Sequence, residues 1–205
     1  MKLLHIDSSI LGQHSASREV GNAIVTHLAG TGTDVEVIHR DLAADELPHL
    51  TLATLPSAHA AAVPANQLDA TQTEARKQSD AVLKEFLAAD TVVIAAPMYN
   101  FTVPSQLKAW IDRILIGGVT FRYGTNGPEG LITKKRVIIA VARGGLYGSD
   151  SPAASAEHAE QYLRTVFDFI GVSPEFVIVE GLAISPESRE KSMADAVASV
   201  SKLVD

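Results

Sequence analysis

The chain has 205 residues, with 17 Lys and Arg against 24 Asp and Glu for a net charge of −7, no cysteine, 46% hydrophobic residues and 5% aromatic ones. This length suits one domain over residues 1–205, and the chain is too apolar for disorder and too poor in Pro, Gly and Cys for a fibrous or disulfide-stapled protein. No basic cluster exceeds Lys134-Lys135-Arg136, so no nucleic-acid partner is expected.

No apolar run approaches the roughly 18 residues of a membrane helix, so no membrane partner is expected either. Asp7 interrupts the N-terminal stretch before a signal-peptide core develops, which makes a cytoplasmic location the expectation. Without cysteine there is no disulfide, thiolate metal site or cysteine nucleophile, so any redox chemistry needs a bound cofactor.

The first β-rich run, 2–6, opens on a Ser-rich loop, and Ser17 can cap a helix that carries Val20, Ala23, Ile24 and Leu28 on one face and ends at Gly30. A second run, 35–39, leads into a long stretch, 40–73, rich in Ala, Pro, Thr and His and suited to a short extra helix. The spacing predicts a helix over 73–89, with Phe86 in the core and Glu74, Arg76, Lys77, Lys84 and Glu85 on a solvated face. The third run, 91–95, is followed by Pro104 at the first turn of a helix bearing Leu107, Trp110, Ile111 and Ile114.

Residues 117–135 read as a hairpin flap around the turn-rich segment 124–130. The fourth run is Arg136–Ala142, a helix follows over 155–169, and the fifth run is Glu175–Val179. Ser185-Pro186-Glu187 opens the last helix with a cap, a proline and an acid in order. The last three runs are almost continuous in Val, Ile and Ala, as strands covered on both faces require. Strands alternating with helices predict an α/β three-layer sandwich with a five-stranded parallel sheet, the flavodoxin-like order 2-1-3-4-5 being the natural candidate.

Ligands of such sheets bind beyond the carboxyl ends of the strands. The loop 7–17 offers the hydroxyls of Ser8, Ser9, Ser15 and Ser17 ahead of a helix N-terminus, a setting for a phosphate; Ser15 and Ser17 serve equally well as helix caps, and the loop alone leaves both readings open. The loop 97–104 carries Pro97, Met98, Tyr99, Asn100 and Phe101, which suit either a planar heterocycle or a turn with core aromatics. The third loop, with Arg143, Gly144 and Gly145, lets backbone approach a ligand or simply turns. Three such loops on one edge are stronger than any one.

Walker, G-x-S-x-G, H-E-x-x-H and G-x-G-x-x-G motifs are absent from the strand and helix junctions that would give them meaning. The seven histidines show no metal-ligand spacing, so no metal is expected.

At these loops the sequence resembles the FMN-dependent NADH:azoreductase family, flavodoxin-like enzymes that also reduce quinones. The resemblance rests on Ser8-Ser9-Ile10-Leu11 with Ser15-x-Ser17, on 95–101 with Pro97-Met98-Tyr99-Asn100-Phe101, and on Gln106-Leu107-Lys108 and Val119-Thr120-Phe121-Arg122-Tyr123. Asn126-Gly127-Pro128-Glu129-Gly130, Arg143-Gly144-Gly145 and Phe169-Ile170-Gly171 complete the colinear set. It implies FMN with Ser9, Ser15, Ala16 and Ser17 around its phosphate, Pro97, Met98, Tyr99, Asn100 and Phe101 at the isoalloxazine, and Ala142, Arg143, Gly144 and Gly145 closing the other side.

Ala142 departs from the serine the family often places there, which removes a hydroxyl but leaves the backbone. The resemblance further implies NADH as hydride donor, ping-pong turnover without a side-chain nucleophile, and a homodimer with its site at the interface, where Tyr123 and Phe169 line the substrate space. A dedicated NAD(P)H:quinone reductase and a non-catalytic flavodoxin-type electron carrier are the alternatives.

Overall fold

The structure is a computed structural model that describes residues 1–31 and 34–203. In chain order its main elements are β1 (Lys2–Asp7), α1 (Ala16–Thr31), β2 (Glu36–Asp41), α2 (Ala70–Ala88), β3 (Thr91–Pro97), α3 (Ser105–Ile114), β4 (Phe121–Gly124), β5 (Gly127–Gly130), β6 (Arg136–Ala142), α4 (Ala159–Phe169), β7 (Glu175–Val179) and α5 (Pro186–Ser199). Five strands form one parallel sheet in the order β2-β1-β3-β6-β7. The sequence reading numbered these strands 1 to 5, whereas the hairpin takes the numbers β4 and β5 here.

The central strand β3 shows why the near-continuous apolar runs were informative: Val92, Val93, Ile94, Ala95 and Ala96 are all fully buried. Residues alternate between two cores. Leu4, Ile6, Val92 and Ile94 pack with Phe86 of α2, Trp110 of α3 and Phe167 of α4; Leu3, Val93 and Ile138 pack with Val20 and Ile24 of α1 and Met193 of α5. Phe86 and Trp110 meet edge to face with centroids 5.8 Å apart, a geometry worth about 0.5–1.5 kcal/mol beyond area burial.

The helix starts shift from their expected positions for local reasons. Ser15, not Ser17, caps α1: its Oγ accepts the Arg18 N–H at 3.3 Å, while Ser17 lies inside the first turn. The helix runs through Gly30 to Thr31, and Gly32, in the turn expected after it, lies outside the described residues. α2 begins earlier than residue 73 because Asp69 and Gln72 form a reciprocal capping box. Pro104 is the N-cap of α3 rather than part of its first turn. α4 starts at Ala159, later than expected, after a separate 3-10 turn at Ala154–Ala156.

Arg76 corrects the expected solvated face of α2. It is buried, and its guanidinium donates to the carbonyls of Ala53 (3.0 Å), Val63 (3.2 Å) and Leu52 (3.3 Å), stitching down the long 40–73 connection. Glu85 is likewise half-buried and paired with Arg40, which donates to it at 2.9 and 2.7 Å. Between β2 and α2 the short helix among the described residues is the 3-10 segment Ala65–Gln67.

The 117–135 insertion is a hairpin as expected, β4 and β5 pairing antiparallel with Arg122 opposite Glu129. Thr120 roots it, accepting the Ile116 N–H at 2.9 Å and donating to the Ile114 carbonyl at 2.7 Å. At its far end Gly130 lies so close to Gly171 that a Cβ there would sit 2.2 Å from the Gly171 nitrogen. Gly130→Ala is therefore expected to lift the hairpin from α4 and cost about 1–3 kcal/mol, the range for overpacking, read as a lower thermal unfolding midpoint with the far-ultraviolet spectrum retained. An unchanged midpoint would contradict this contact.

Candidate functional site

Three loops leave the carboxyl ends of the neighbouring strands β1, β3 and β6 and are tied to each other. In the first, Ser8 Oγ donates to the Ala95 carbonyl at 2.7 Å, and Ser9 Oγ shares a hydrogen bond with the Tyr99 hydroxyl at 3.0 Å. Ser15 Oγ lies 3.0 Å from Ser17 Oγ. All four serines are buried. The first-turn amides of Ala16 and Ser17 have no intrahelical acceptor, and the helix dipole places about half a positive charge beside them. Neutral donors and a helix terminus thus converge where an anion could sit.

Behind this loop stands a residue to which the sequence reading gave no role. Arg18 donates from both Nη atoms to the Asp41 carboxylate (2.6 and 2.7 Å) and from Nη2 to the Ser9 carbonyl at 2.7 Å, with Asp7 at 3.4 Å. The hydrogen bond to Asp41 raises the affinity of this guanidinium for its proton, and despite burial the same bond holds the Asp41 carboxyl below its usual range. His39 Nε2 lies 2.9 Å and His5 Nε2 3.5 Å from the Asp7 carboxylate. Strand pairing places His5 beside His39, a juxtaposition their distance in sequence hides. The donor atoms of His5, Asp7 and His39 lie within 4.8 Å of one another, but the Arg18 charge on the same carboxylate opposes a metal cation there.

The second loop stores strain. Asn100 (φ +48°) and Phe101 (φ +73°) both adopt the left-handed region, and Tyr99 and Thr102 exchange backbone hydrogen bonds around them at 2.9 and 3.1 Å. Asparagine tolerates this conformation, whereas phenylalanine pays for it. The turn leaves Phe101 52% exposed. The Met98 N–H donates to the Ala142 carbonyl at 2.8 Å, joining the second loop to the third.

In the third loop the Arg143 side chain is only 1% exposed and points away from the first loop, toward Glu160 (2.5 Å), Glu180 (3.4 Å) and Glu157 (3.6 Å). Its backbone N–H donates to the Val179 carbonyl at 2.8 Å, which leaves the Gly144 and Gly145 amides of this loop for a ligand. Residues 181–183 zip onto this loop, with Leu182, Ala183 and Gly181 amides donating to the carbonyls of Arg143, Gly144 and Gly145.

The loops enclose a cavity of about 200 Å³ lined by Ser9, Ser15, Ala16, Ser17, Pro97, Met98, Tyr99, Ala142, Arg143 and Gly144 together with Leu11, His14, Leu182, Ala183 and Arg189. A larger hollow of about 560 Å³ shares Tyr99 and adds Asn100, Ile10, Thr102, Val103, Pro104, Ser105, Gln106, Lys108 and Tyr162. Burial pushes the Tyr162 phenol up to about 12. Phe101 and Gly145 stand outside both linings.

Tyr123 and Phe169 also lie outside both, in an aromatic group around Phe121, whose ring is 5.7 Å from Tyr123 and 4.7 Å from Phe169. Leu182, Ala183 and Arg189 were missed from sequence because they follow β7, whose loop carried no motif.

Two consequences can be measured. Phe101→Gly removes a left-handed non-glycine residue, so the ligand-free protein is expected to gain about 1 kcal/mol, at the low end of such strain, and to melt a few degrees higher; a lower midpoint would mean the turn is unstrained. His5 is held below its ordinary value by burial, Asp7 opposing the effect. The unfolded chain therefore takes up this proton more readily, and the resulting stability is present above about pH 6.5 and lost on acidification. The fall in unfolding midpoint between about pH 7 and pH 5 should be shallower in His5→Asn; an equal slope would exclude His5 as its source.

The profile of a family described as having a flavodoxin-like fold matches residues 1–204. Among curated relatives, the FMN-dependent NADH:quinone oxidoreductase of Methylobacterium radiotolerans is 57% identical, covering 99% of both chains. FMN-dependent NADH:quinone oxidoreductase 2 of Bradyrhizobium diazoefficiens is 54% identical over 99% of this chain and 98% of its own. Among solved structures, azoreductase AzrA superposes with a TM-score of 0.86 at 30% identity, covering 99% of this chain and 98% of that one. An FMN-dependent NADH-azoreductase from Bacillus anthracis in complex with FMN superposes with a TM-score of 0.85 at 26% identity, covering 100% and 99%. This chain belongs to the FMN-dependent NADH:quinone oxidoreductase family of flavodoxin-like proteins.

Proposed function

We propose that this protein is an FMN-dependent oxidoreductase that takes hydride from NADH and reduces quinones and azo compounds. In this reading one flavin-binding domain spans residues 1–205, two copies form a homodimer, and the enzyme works in the cytoplasm, where NADH is supplied. The observation that carries it is the convergence of the loops after β1, β3 and β6 on one cavity, beside a larger, mainly apolar hollow that shares Tyr99 with it. The relatives at 57% and 54% identity, both FMN-dependent NADH:quinone oxidoreductases, support the same activity.

The residues present fit FMN. A phosphate monoester suits the hydroxyls of Ser9, Ser15 and Ser17 with the amides of Ala16 and Ser17. The planar ring suits Pro97, Met98, Tyr99 and Asn100 on one side and the backbone of Ala142, Arg143 and Gly144 on the other, with Phe101 and Gly145 next to them in the chain but outside the two linings. When bound, FMN supplies a ring that accepts hydride and hands the electrons on.

The chain binds, orients and excludes water. The third loop is held because its carbonyls accept the amides of 181–183, so the N–H groups of Gly144 and Gly145 need no reorganisation when negative charge develops nearby. Tyr162, kept neutral by burial, is a hydroxyl donor toward an acceptor in the larger hollow rather than an acid. Tyr123 and Phe169 lie apart from the flavin loops within one chain, and a second copy would bring them over the substrate space.

A dedicated quinone reductase is a narrower form of this reading, favoured by the relatives' names. A non-catalytic carrier is the reading from another class. The purified protein is expected to be yellow, to release FMN on denaturation and to bleach on anaerobic addition of NADH, with parallel double-reciprocal plots for NADH against a quinone. A colourless protein that cannot be reconstituted with FMN would overturn the proposal. A yellow protein untouched by NADH would be a carrier, and intersecting plots would rule out one site serving both substrates in turn.

A further inference from the structure

The cavity that holds Ser9, Ser15 and Ser17 has little positive charge to offer a phosphate. Arg18, at the start of α1, is engaged by Asp41, Asp7 and the Ser9 carbonyl. Arg143 faces three glutamates. His14 lines the cavity, but an imidazole is not a permanent cation. Arg189 differs from all of these. It lines the same cavity from the first turns of α5, it is exposed, and among the described residues its guanidinium has no hydrogen-bond or ion-pair partner.

α5 packs on the same face of the sheet as α1, and this carries Arg189 to the mouth of the serine loop. Its backbone N–H is fixed on the Ser185 carbonyl at 3.0 Å, while Glu187 and Glu190 beside it in sequence do not pair with it. A phosphate monoester carries about −1.5 to −2 charges near pH 7, more than serine hydroxyls and one helix dipole neutralise.

We propose that Arg189 is the phosphate-recognising cation of this site, closing over the phosphate from α5 and making the protein select FMN over riboflavin. This rests on the flavin reading above and assigns a specificity role to a residue outside the three loops. A planar guanidinium suits two phosphate oxygens at once, which a lysine at the same place would match only as a point charge.

The test deletes each side of the contact in turn. Full-length protein stripped of flavin is titrated with FMN and with riboflavin, following quenching of flavin fluorescence, for the parent, Arg189→Gln and Arg189→Lys. Arg189→Gln is expected to weaken FMN about 10- to 100-fold, the worth of a charge-assisted hydrogen bond, and to leave riboflavin within about twofold of the parent by the same reasoning. Arg189→Lys should recover part of the loss, and FMN binding should depend less on salt in Arg189→Gln than in the parent.

Equal loss for both ligands would make Arg189 merely structural, and undiminished FMN binding would remove it from the site; either overturns the inference while leaving the flavin reading intact. A parent protein that binds neither flavin overturns both. The position is exposed, so the variants are expected to fold, which thermal melts of the flavin-free proteins check.

Discussion

Guanidinium groups turned inward hold this fold's loops to its sheet. A parallel sheet gives a ligand only the ragged carboxyl ends of its strands, and the loops there must be fixed before they can recognise anything. Arg143 ties the third loop to α4 and to the end of β7 through Glu160, Glu157 and Glu180. Arg18 ties the serine loop to β2 through Asp41. Arg113 is fully buried, donating to Ser79 Oγ, the Ala109 carbonyl and the Pro48 carbonyl at 2.7–2.9 Å, which pins the long connection beneath α3. Breaking a buried charge pair costs about 3–5 kcal/mol because the remaining charge is stranded. Such contacts are therefore demanding of geometry, and they fix loops more firmly than exposed ion pairs worth under about 1 kcal/mol.

This arrangement has a chemical consequence. Cations engaged with their own protein are withdrawn from the ligand, so the serine loop meets an anion with neutral donors and a helix terminus. The second loop uses a different device. Asn100 and Phe101 are forced into left-handed backbone by the exchange of hydrogen bonds between Tyr99 and Thr102. A phenylalanine kept exposed and strained has no packing reason to be there. Strain beside a cavity is a pointer to function, since the surrounding structure must over-determine it to persist.

Much of the fold was legible because burial on both faces leaves an unmistakable mark on a strand. Arg136–Ala142 shows it and coincides with its expected limits, whereas Glu175–Val179 keeps its limits but, as an edge strand, is not covered on both faces as expected and leaves Ile178 exposed. β1 and β3 instead extend to Asp7 and Pro97, since a parallel ladder continues as long as a neighbour offers partners, and proline ends it without losing a needed donor. The loops of the candidate site were legible from hydroxyls, prolines and glycines crowded after apolar runs. The anchors were not: Arg76 sits among Glu74, Lys77 and Lys84 and reads as solvated, and only the fold reveals that the 40–73 connection wraps over it. Arg189 was invisible for the same reason, since nothing local to 185–191 distinguishes a cation aimed at a cavity from one aimed at water.

The aromatic residues divide in an instructive way. Trp110, Phe86 and Phe167 are fully buried and serve the core. Tyr99 lines both cavities, whereas Phe121, Tyr123 and Phe169 form a separate group on the hairpin and the end of α4, with Tyr123 77% exposed. A hairpin rooted by Thr120 and clamped by the contact of Gly130 with Gly171 is a costly way to hold a ring in water. Large exposed aromatics rimmed by polar groups belong to surfaces that become covered. On the proposed reading the cover is a second copy, and the rigidity of the hairpin is what allows a residue from one chain to be placed over a planar ring held by another.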